Sequence, residues 1–282
     1  MDAPATKRTQ LMILLTGGSG QLSSLIANGA MDACLDICIG SRHRPDAPDP
    51  SRRRIDFDDP QSLDFQDVET LFMVSAGYAE DDVVIRRHDA VIAAAIRSGV
   101  RHVFYTSLSG TGDHLAFSLA HRWTEKRLKD SRLAWTILRN GLYAELIGAL
   151  AAPVDGVMRA PFGTALLSPA ARQDLADAAV TVLQDPRAHA GMIYELSGAE
   201  AWSVADLAAV LGAAYQPWSL EQARASLASE PLKPFQPPML MSIYSSAAAG
   251  FLHSGRTDLP ALLSARPRPT LPIAAEAARG AG

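Results

Sequence analysis

One stretch, LLTGGSGQLSSLIANGA from Leu14 to Ala30, limits this chain more than any other. The apolar run LMILLT ends in Gly17-Gly18-Ser19-Gly20, and a helical segment is predicted near Gln21–Ala30. A turn of this kind between strand and helix needs small residues. The backbone must approach another group closely, and the free N–H groups of the helix N-terminus point at it. Gly17 and Gly20 fit the first two required positions of a dinucleotide-binding turn. Ser23 stands at the third, where glycine or alanine usually lets helix and strand pack. Thr16, Gly17, Ser19, Gly20, Gln21 and Leu22 are therefore the expected contacts of a pyrophosphate. The competing reading is an ordinary tight turn.

Strand-like and helix-like segments alternate beyond this point. CLDICIG, ETLFMVSA, VRHVFYTSL, LAWTILRNG and MIYELSG read as strands. In the segment following Glu80, Val84, His88, Val91, Ile92 and Ala95 recur at helical spacing, with Gly99 at the C-terminal cap. The alternation predicts an α/β fold, a Rossmann-like doubly wound parallel sheet covered on both faces. LADAAVTVLQDP reads as a helix stopped by Pro186, and SVADLAAVLGAA as one capped by Ser203. A further helix is expected in MLMSIYSSAAAGFL, after the prolines of PLKPFQPPM, and the closing AAEAARGAG is expected to fray. The 282 residues and 48% hydrophobic content suffice for one large domain with a smaller appendage. Residues 1–145 are assigned to the nucleotide-binding core. Residues 146–282 form mainly a small C-terminal α+β part, with some segments returning to the sheet.

A net charge of −4 makes no case for nucleic acid or an anionic membrane as partner. No apolar run approaches the ~18 residues of a membrane span. The run after Lys7 and Arg8 stops at Thr-Gly-Gly, which suits a buried strand better than a signal peptide. A cytoplasmic protein is expected. Cys34 and Cys38, on one strand face, would lie ~13 Å apart, too far for a disulfide or a shared metal, so both are expected as buried thiols and no metal site is assigned. A homodimer is open, since no assembly signal stands out.

The end of the second strand carries no acidic residue for the ribose of NAD. It reads Gly40-Ser41-Arg42-His43-Arg44. Arg42 and Arg44 suit a 2′-phosphate, which favours NADP(H). The alternative is a solvated basic loop continued by Arg52, Arg53 and Arg54. Ser75 and Ala76 end FMVSA, and Gly77 and Tyr78 follow it, where the chain should pass ribose and pyrophosphate. Ser107 and Ser109 follow the next strand, at the edge where such folds bind ligands. Each either contacts substrate or the nicotinamide ribose, or satisfies local backbone. Tyr143 either stacks on a flat substrate or packs in the core. Arg139 and Asn140 are expected to steady the loop leaving their strand, Asp174 to cap or anchor its helix, and His114 to lie at the surface.

Several motifs together resemble the NmrA-like branch of the atypical short-chain dehydrogenases. They are TGGSGQL, IDFDDPQSL, AAAIRSGVRHVFYTSLSG, RQDLADAAVTVL, IYELSG and LSARPRPTL. HRWTEKRLKDSRLAWTILRNGLYAE looks very like the quinone-reductase-type members. The resemblance covers almost the whole chain, weakest from Gln216 to His253. It implies a Rossmann domain, a small C-terminal domain closing a cleft over the nicotinamide, and Asp56 and Phe57 beside adenine. It also exposes a departure. With Glu125 aligned to the family's helix glutamate, the usual catalytic lysine falls on His121 and the tyrosine on Phe117. Phenylalanine donates no proton. A carbonyl needs a donor as hydride arrives, whereas a quinone yields a stabilised anion and needs less help. His121 is either that donor or a structural helix histidine. The leading expectation is an NADPH-dependent reductase of a quinone or similar flat, conjugated small molecule. The alternatives are a non-catalytic NADP-binding regulator, or a cyclase or isomerase without net redox change.

Overall fold

The computed structural model describes residues 12–43 and 49–281. The first six strands are β1 (Met12–Leu15), β2 (Ile37–Ser41), β3 (Arg52–Arg54), β4 (Val68–Met73), β5 (His102–Leu108) and β6 (Ala134–Asn140). Four helices lie among and after them: α1 (Gln21–Asp32), α2 (Asp81–Ser98), α3 (Ser118–Lys129) and α4 (Ala144–Leu150). The remainder of the chain forms β7 (Val157–Met158), α5 (Arg172–Gln184), β8 (Ile193–Leu196), α6 (Val204–Leu211), β9 (Ala214–Tyr215), α7 (Leu220–Leu227), α8 (Gln236–Ala248), α9 (Leu259–Leu262) and α10 (Thr270–Ala281).

Seven strands form one parallel sheet in the order β3-β2-β1-β4-β5-β6-β8, a Rossmann-like arrangement. The apolar strands alternate between two cores, as the period of a strand requires. Leu15, Phe72 and Phe104 meet α1 and α5 on one face. Leu14, Leu71, Val103 and Tyr105 meet α2 and α3 on the other. Order reverses between β1 and β4, so a crevice opens at their carboxyl ends, where ligands of such sheets bind. α5 and β8 belong to this layer although they lie beyond residue 146. The rest of the second half packs α4, α6, α8 and α10 around its own core, beside the two-stranded pair β7–β9.

The predicted caps are present. Gly99 ends α2 in the left-handed conformation, and Ser203 with Asp206 forms a reciprocal capping box at α6. Three expectations and one alternative reading fail. Cys34 is exposed with a positive φ, in the turn closing α1, and only Cys38 is a buried thiol. Arg52–Arg54 is no loop. It pairs with β2 as the edge strand, while Arg53 donates to the Gln66 carbonyl and Arg54 to Asp59. The closing residues do not fray, because α10 buries Ala274, Ala275 and Ala278. Gly148 of α4 permits that contact, since a Cβ there would stand 2.1 Å from the Ala274 carbonyl oxygen. Finally, Pro237 and Pro238 start α8 rather than precede it, for proline suits the first helical turn. Among the described residues, no helix is long and apolar enough to cross a membrane.

Candidate functional site

The glycine turn joins β1 to α1, and its glycines differ in purpose. Gly17 has φ +74, a left-handed conformation that side chains resist. Gly18 is fixed by packing: a Cβ there would lie 2.3 Å from Ile39 Cγ2, and its N–H donates to the Gly40 carbonyl at 2.9 Å. Gly20 is extended, and a Cβ would meet only the Gly17 oxygen, at 3.2 Å. A larger side chain at Gly20 therefore projects into the open space before α1. That helix has no side-chain cap and no acidic residue in its first turn, so its leading N–H groups remain available to an anion.

Ser23, the departure from glycine or alanine, donates its hydroxyl to the Thr16 carbonyl at 2.9 Å. It binds helix to strand rather than merely allowing their approach. Thr16 is fully buried, and its Oγ1 accepts from the Val74 N–H at 2.9 Å. As a pyrophosphate contact the Thr16 side chain is thus corrected: it ties the ends of β1 and β4 together. Ser19 and Gln21 are exposed at the turn, whereas Leu22 buries its side chain and offers only backbone.

Opposite the turn, three successive N–H groups after β4 are pinned by side chains. Thr16 takes Val74, Thr106 Oγ1 takes Ser75 at 2.9 Å, and His88 Nε2 takes Ala76 at 3.1 Å. The His88 tautomer follows from its neighbours. The single Thr124 hydroxyl proton goes to the Ala120 carbonyl, so His88 Nδ1–H must be the donor to Thr124, at 2.8 Å. Nε2 is then a free acceptor for Ala76 only while the ring is neutral. Burial above all, aided by the nearby His121 and Arg87, pushes the His88 pKa down to about 3. The helical spacing of the sequence places this residue on the apolar face of its helix and shows nothing more. A histidine inside an otherwise aliphatic stripe is the only sequence signal it offers.

Arg42 is exposed after β2, where the Ser41 hydroxyl shapes the turn by donating to the His43 carbonyl at 2.8 Å. Arg44 lies outside the described residues. Phe57 meets the His88 ring edge-on, and the Asp56 backbone is held by the Ser62 hydroxyl. Gly77 and Tyr78 complete the loop after β4. The exposed Tyr78 ring packs edge-on against Phe235, 4.8 Å between centroids, with Lys233 Nζ 5.3 Å from the same ring. The segment before α8 thereby reaches across to the sheet's ligand edge.

His121 lies one turn into α3, on the face shared with Phe117, the residue before that helix. The Tyr105 hydroxyl of β5 is 2.9 Å from His121 Nδ1. Burial, with the charge of Arg122, lowers the His121 pKa to about 4, so the ring is neutral at pH 7. Burial raises the phenol of Tyr105, which stays protonated; the Thr124 and Ser75 hydroxyls adjoin it. Ser75 Oγ is buried without a hydrogen-bond partner among the described residues.

Ser107 is corrected as a substrate contact. It is buried, and its hydroxyl donates to Glu125 Oε1 at 2.6 Å. Glu125 also accepts Arg139 Nε and Nη2 at 2.8 and 2.7 Å and Arg122 Nη1 at 2.7 Å. Arg139 continues to Glu195, whose other oxygen accepts the Gly110 N–H at 2.9 Å. Arg139 therefore serves this network rather than its own loop. Burial works to raise the Glu125 pKa, but Arg139, Ser107 and Arg122 together hold it at about 2. Tyr143 precedes α4 with the Arg172 guanidinium 4.8 Å from its ring centre. His114 stacks on Phe251, and Asp174 holds the backbone and guanidinium of Arg268 in the closing segment.

Over 212 residues the chain is 34% identical to quinone oxidoreductase 2 of Escherichia coli K12, spanning 71% of this chain and 73% of that protein. The chain belongs to the NmrA-like family of short-chain reductases. An NmrA-like oxidoreductase of Aspergillus flavus is 39% identical over 101 residues, 33% of each chain. The crystal structure of the NADPH-dependent quinone oxidoreductase of Escherichia coli, complexed with NADPH, superposes with a TM-score of 0.82. It is 30% identical and covers 94% of this chain and 99% of its own. No family model matches the sequence. Within this NmrA-like chain the phenol that meets His121 is supplied by β5.

Proposed function

We propose that the chain reduces a quinone or a similarly flat, conjugated small molecule with NADPH. The groove at the strand reversal carries this reading: an uncapped helix N-terminus faces a backbone segment whose three N–H groups are already held in place. A Gly20 side chain would fill the cradle, so the residues present fit a pyrophosphate. Gly17, Ser19, Gly20 and the backbone of Gln21 and Leu22 hold it there. Arg42 pairs with the 2′-phosphate, Asp56 and Phe57 border adenine, and Ser75, Ala76 and Gly77 line the ribose side. The relatives' use of NADPH supports the choice of cofactor. Bound NADPH supplies a hydride to the acceptor. Residues 146–282 contribute mainly the acceptor side, and Tyr143, just before them, offers an aromatic face to it.

His121 holds the proton in this reading. With the Tyr105 hydroxyl as the donor to Nδ1, the neutral ring carries its proton on Nε2, ready for an acceptor oxygen. The hydroquinone anion is a weak base, so the donor adds little to its formation. His121→Ala is expected to slow quinone turnover by well under ~10²-fold, while simple ketones are poor substrates of the unaltered protein. Steady-state turnover with NADPH across quinones and ketones tests this. Efficient ketone reduction would show that another residue serves as acid. Tight NADPH binding without turnover of any acceptor would favour a regulator, and no NADPH binding a non-redox enzyme.

Two cofactor predictions follow from the geometry. Arg42→Ala is expected to weaken NADPH at least tenfold, since a charge-assisted contact is worth ~1.5–3 kcal/mol, and to leave NADH unchanged. Calorimetry with equal losses for both cofactors would contradict the assignment. Gly20→Val is expected to weaken both cofactors tenfold or more without unfolding the chain, because its Cβ meets only one backbone oxygen. Unchanged affinity in the folded variant would make the turn purely structural. Gly17→Val is no substitute, because its positive φ would strain the fold as well.

A further inference from the structure

A cavity of about 280 Å³ lies in the second half of the molecule, between α4, α7, α8 and the β7–β9 pair. Its walls are apolar, with Leu150, Val157, Trp218 and Leu227 among them, and three polar side chains also line it: Arg159, Ser226 and Tyr244. It is not the nucleotide groove. Tyr143 and Leu150 stand at opposite ends of α4, whose seven residues span about 10 Å. On α8, Ser242 and Ser246 bond the 114–116 segment, and Tyr244 lies about 200° round the helix from Ser242, on the other face.

The cavity is held by backbone. The β7–β9 pairing continues beyond its strands: Gln216 N–H donates to the Met158 carbonyl, and Trp218 N–H to that of Arg159, at 2.9 and 3.0 Å. Arg159 and Trp218 are thereby fixed side by side. A capping box of Ser219 and Gln222 starts α7, which presents Ala223, Ser226 and Leu227 as neighbours on one helix face. Arg159 is half-buried and belongs to none of the ion pairs among the described residues, whereas Arg54, Arg87, Arg122, Arg139 and Arg268 each hold a carboxylate. A guanidinium in an apolar setting calls for a planar anion, which it binds through two parallel hydrogen bonds. The indole supplies a flat wall for a ring, and the volume, at the small end for ligand sites, limits that ring system to one or two rings.

We propose that this cavity is a second ligand site, for a small aromatic carboxylate. The carboxylate pairs with Arg159, the Ser226 and Tyr244 hydroxyls donate to it, and the ring lies along Trp218. The site goes beyond the reductase reading and does not depend on it. Calorimetric titration with 2-naphthoate tests it, with and without NADPH. Saturable binding at a single site, unaffected by NADPH, is expected. Arg159→Gln should weaken it at least tenfold. 2-Naphthol, which lacks the carboxylate, should bind at least tenfold more weakly and ignore that substitution. Ser226→Leu, on the half-buried face of a short surface helix, should fill the cavity and abolish binding while leaving NADPH affinity intact. The proposal is overturned if 2-naphthoate shows no saturable binding at millimolar concentration, if Arg159→Gln binds it as well as the parent, or if NADPH displaces it.

Discussion

Glu125→Gln is expected to destabilise the fold by about 3 kcal/mol, because it removes the buried charge that two partly buried arginines share. Glu125 is 2% exposed and takes hydrogen bonds from Ser107, Arg122 and Arg139. Glutamine keeps one acceptor oxygen but turns an NH2 group toward a guanidinium. Arg122 and Arg139 then keep only their second carboxylates, the more exposed Asp113 and Glu195, and the link to Glu195 and Gly110 loosens. That link fixes the segment following β5, so NADPH turnover should fall too. Urea unfolding measures the change directly. A loss under about 1 kcal/mol would mean that the network is incidental to stability. The carboxylate's pKa near 2 gives the same group an acid signature. Its contribution is complete above the ordinary value of 4.5 and is lost as pH falls from there toward 2.

Acid is expected to weaken the protein well before that carboxylate titrates. Burial pushes the His88 pKa to about 3 and that of His102 to about 4, from an ordinary 6.5. The unfolded chain therefore takes up protons below about pH 6.5 that the folded chain refuses. Stability from these groups is complete above 6.5 and drains as pH falls toward 3 to 4. At about pH 5 each ring has cost roughly 2 kcal/mol, near 4 kcal/mol for the pair, and the half-buried His121 adds to this. Burial keeps both rings neutral, and a threonine fixes the tautomer of each. His102 Nε2–H donates to Thr136 at 2.8 Å, since the Thr136 proton is already given to the His189 carbonyl, just as Thr124 directs His88. Protonating His88 also places a proton on the nitrogen that accepts the Ala76 N–H, so the loop after β4 should loosen first. Urea midpoints between about pH 7.5 and pH 5 check the slope. A flat profile would show that the rings charge inside the folded chain.

Local order set much of this molecule. Strand-length apolar runs, helical spacing in α2, the capping residues Gly99 and Ser203 and the glycine turn each carry their conformation in neighbouring residues, so the parallel sheet and the groove at its edge were legible from sequence. The place of Arg42 just after β2 was legible too, because the end of a strand next to a glycine turn is predictable. Tertiary contacts decided the rest. Three arginines became an edge strand because β2 offered a ladder and distant carbonyl and carboxylate oxygens took the guanidiniums. A weak terminal helix became fixed because Gly148 lets α4 and α10 touch. Thr16 and Ser107 look like ligand contacts in the sequence, yet their hydroxyls are spent on Val74, 58 residues away, and on Glu125, 18 away. The role of His88 depends on which hydroxyl has a proton to give, and that is fixed by Thr124 on another element. Residue spacing encodes which face of an element a side chain occupies. Only the packed fold determines what meets it there.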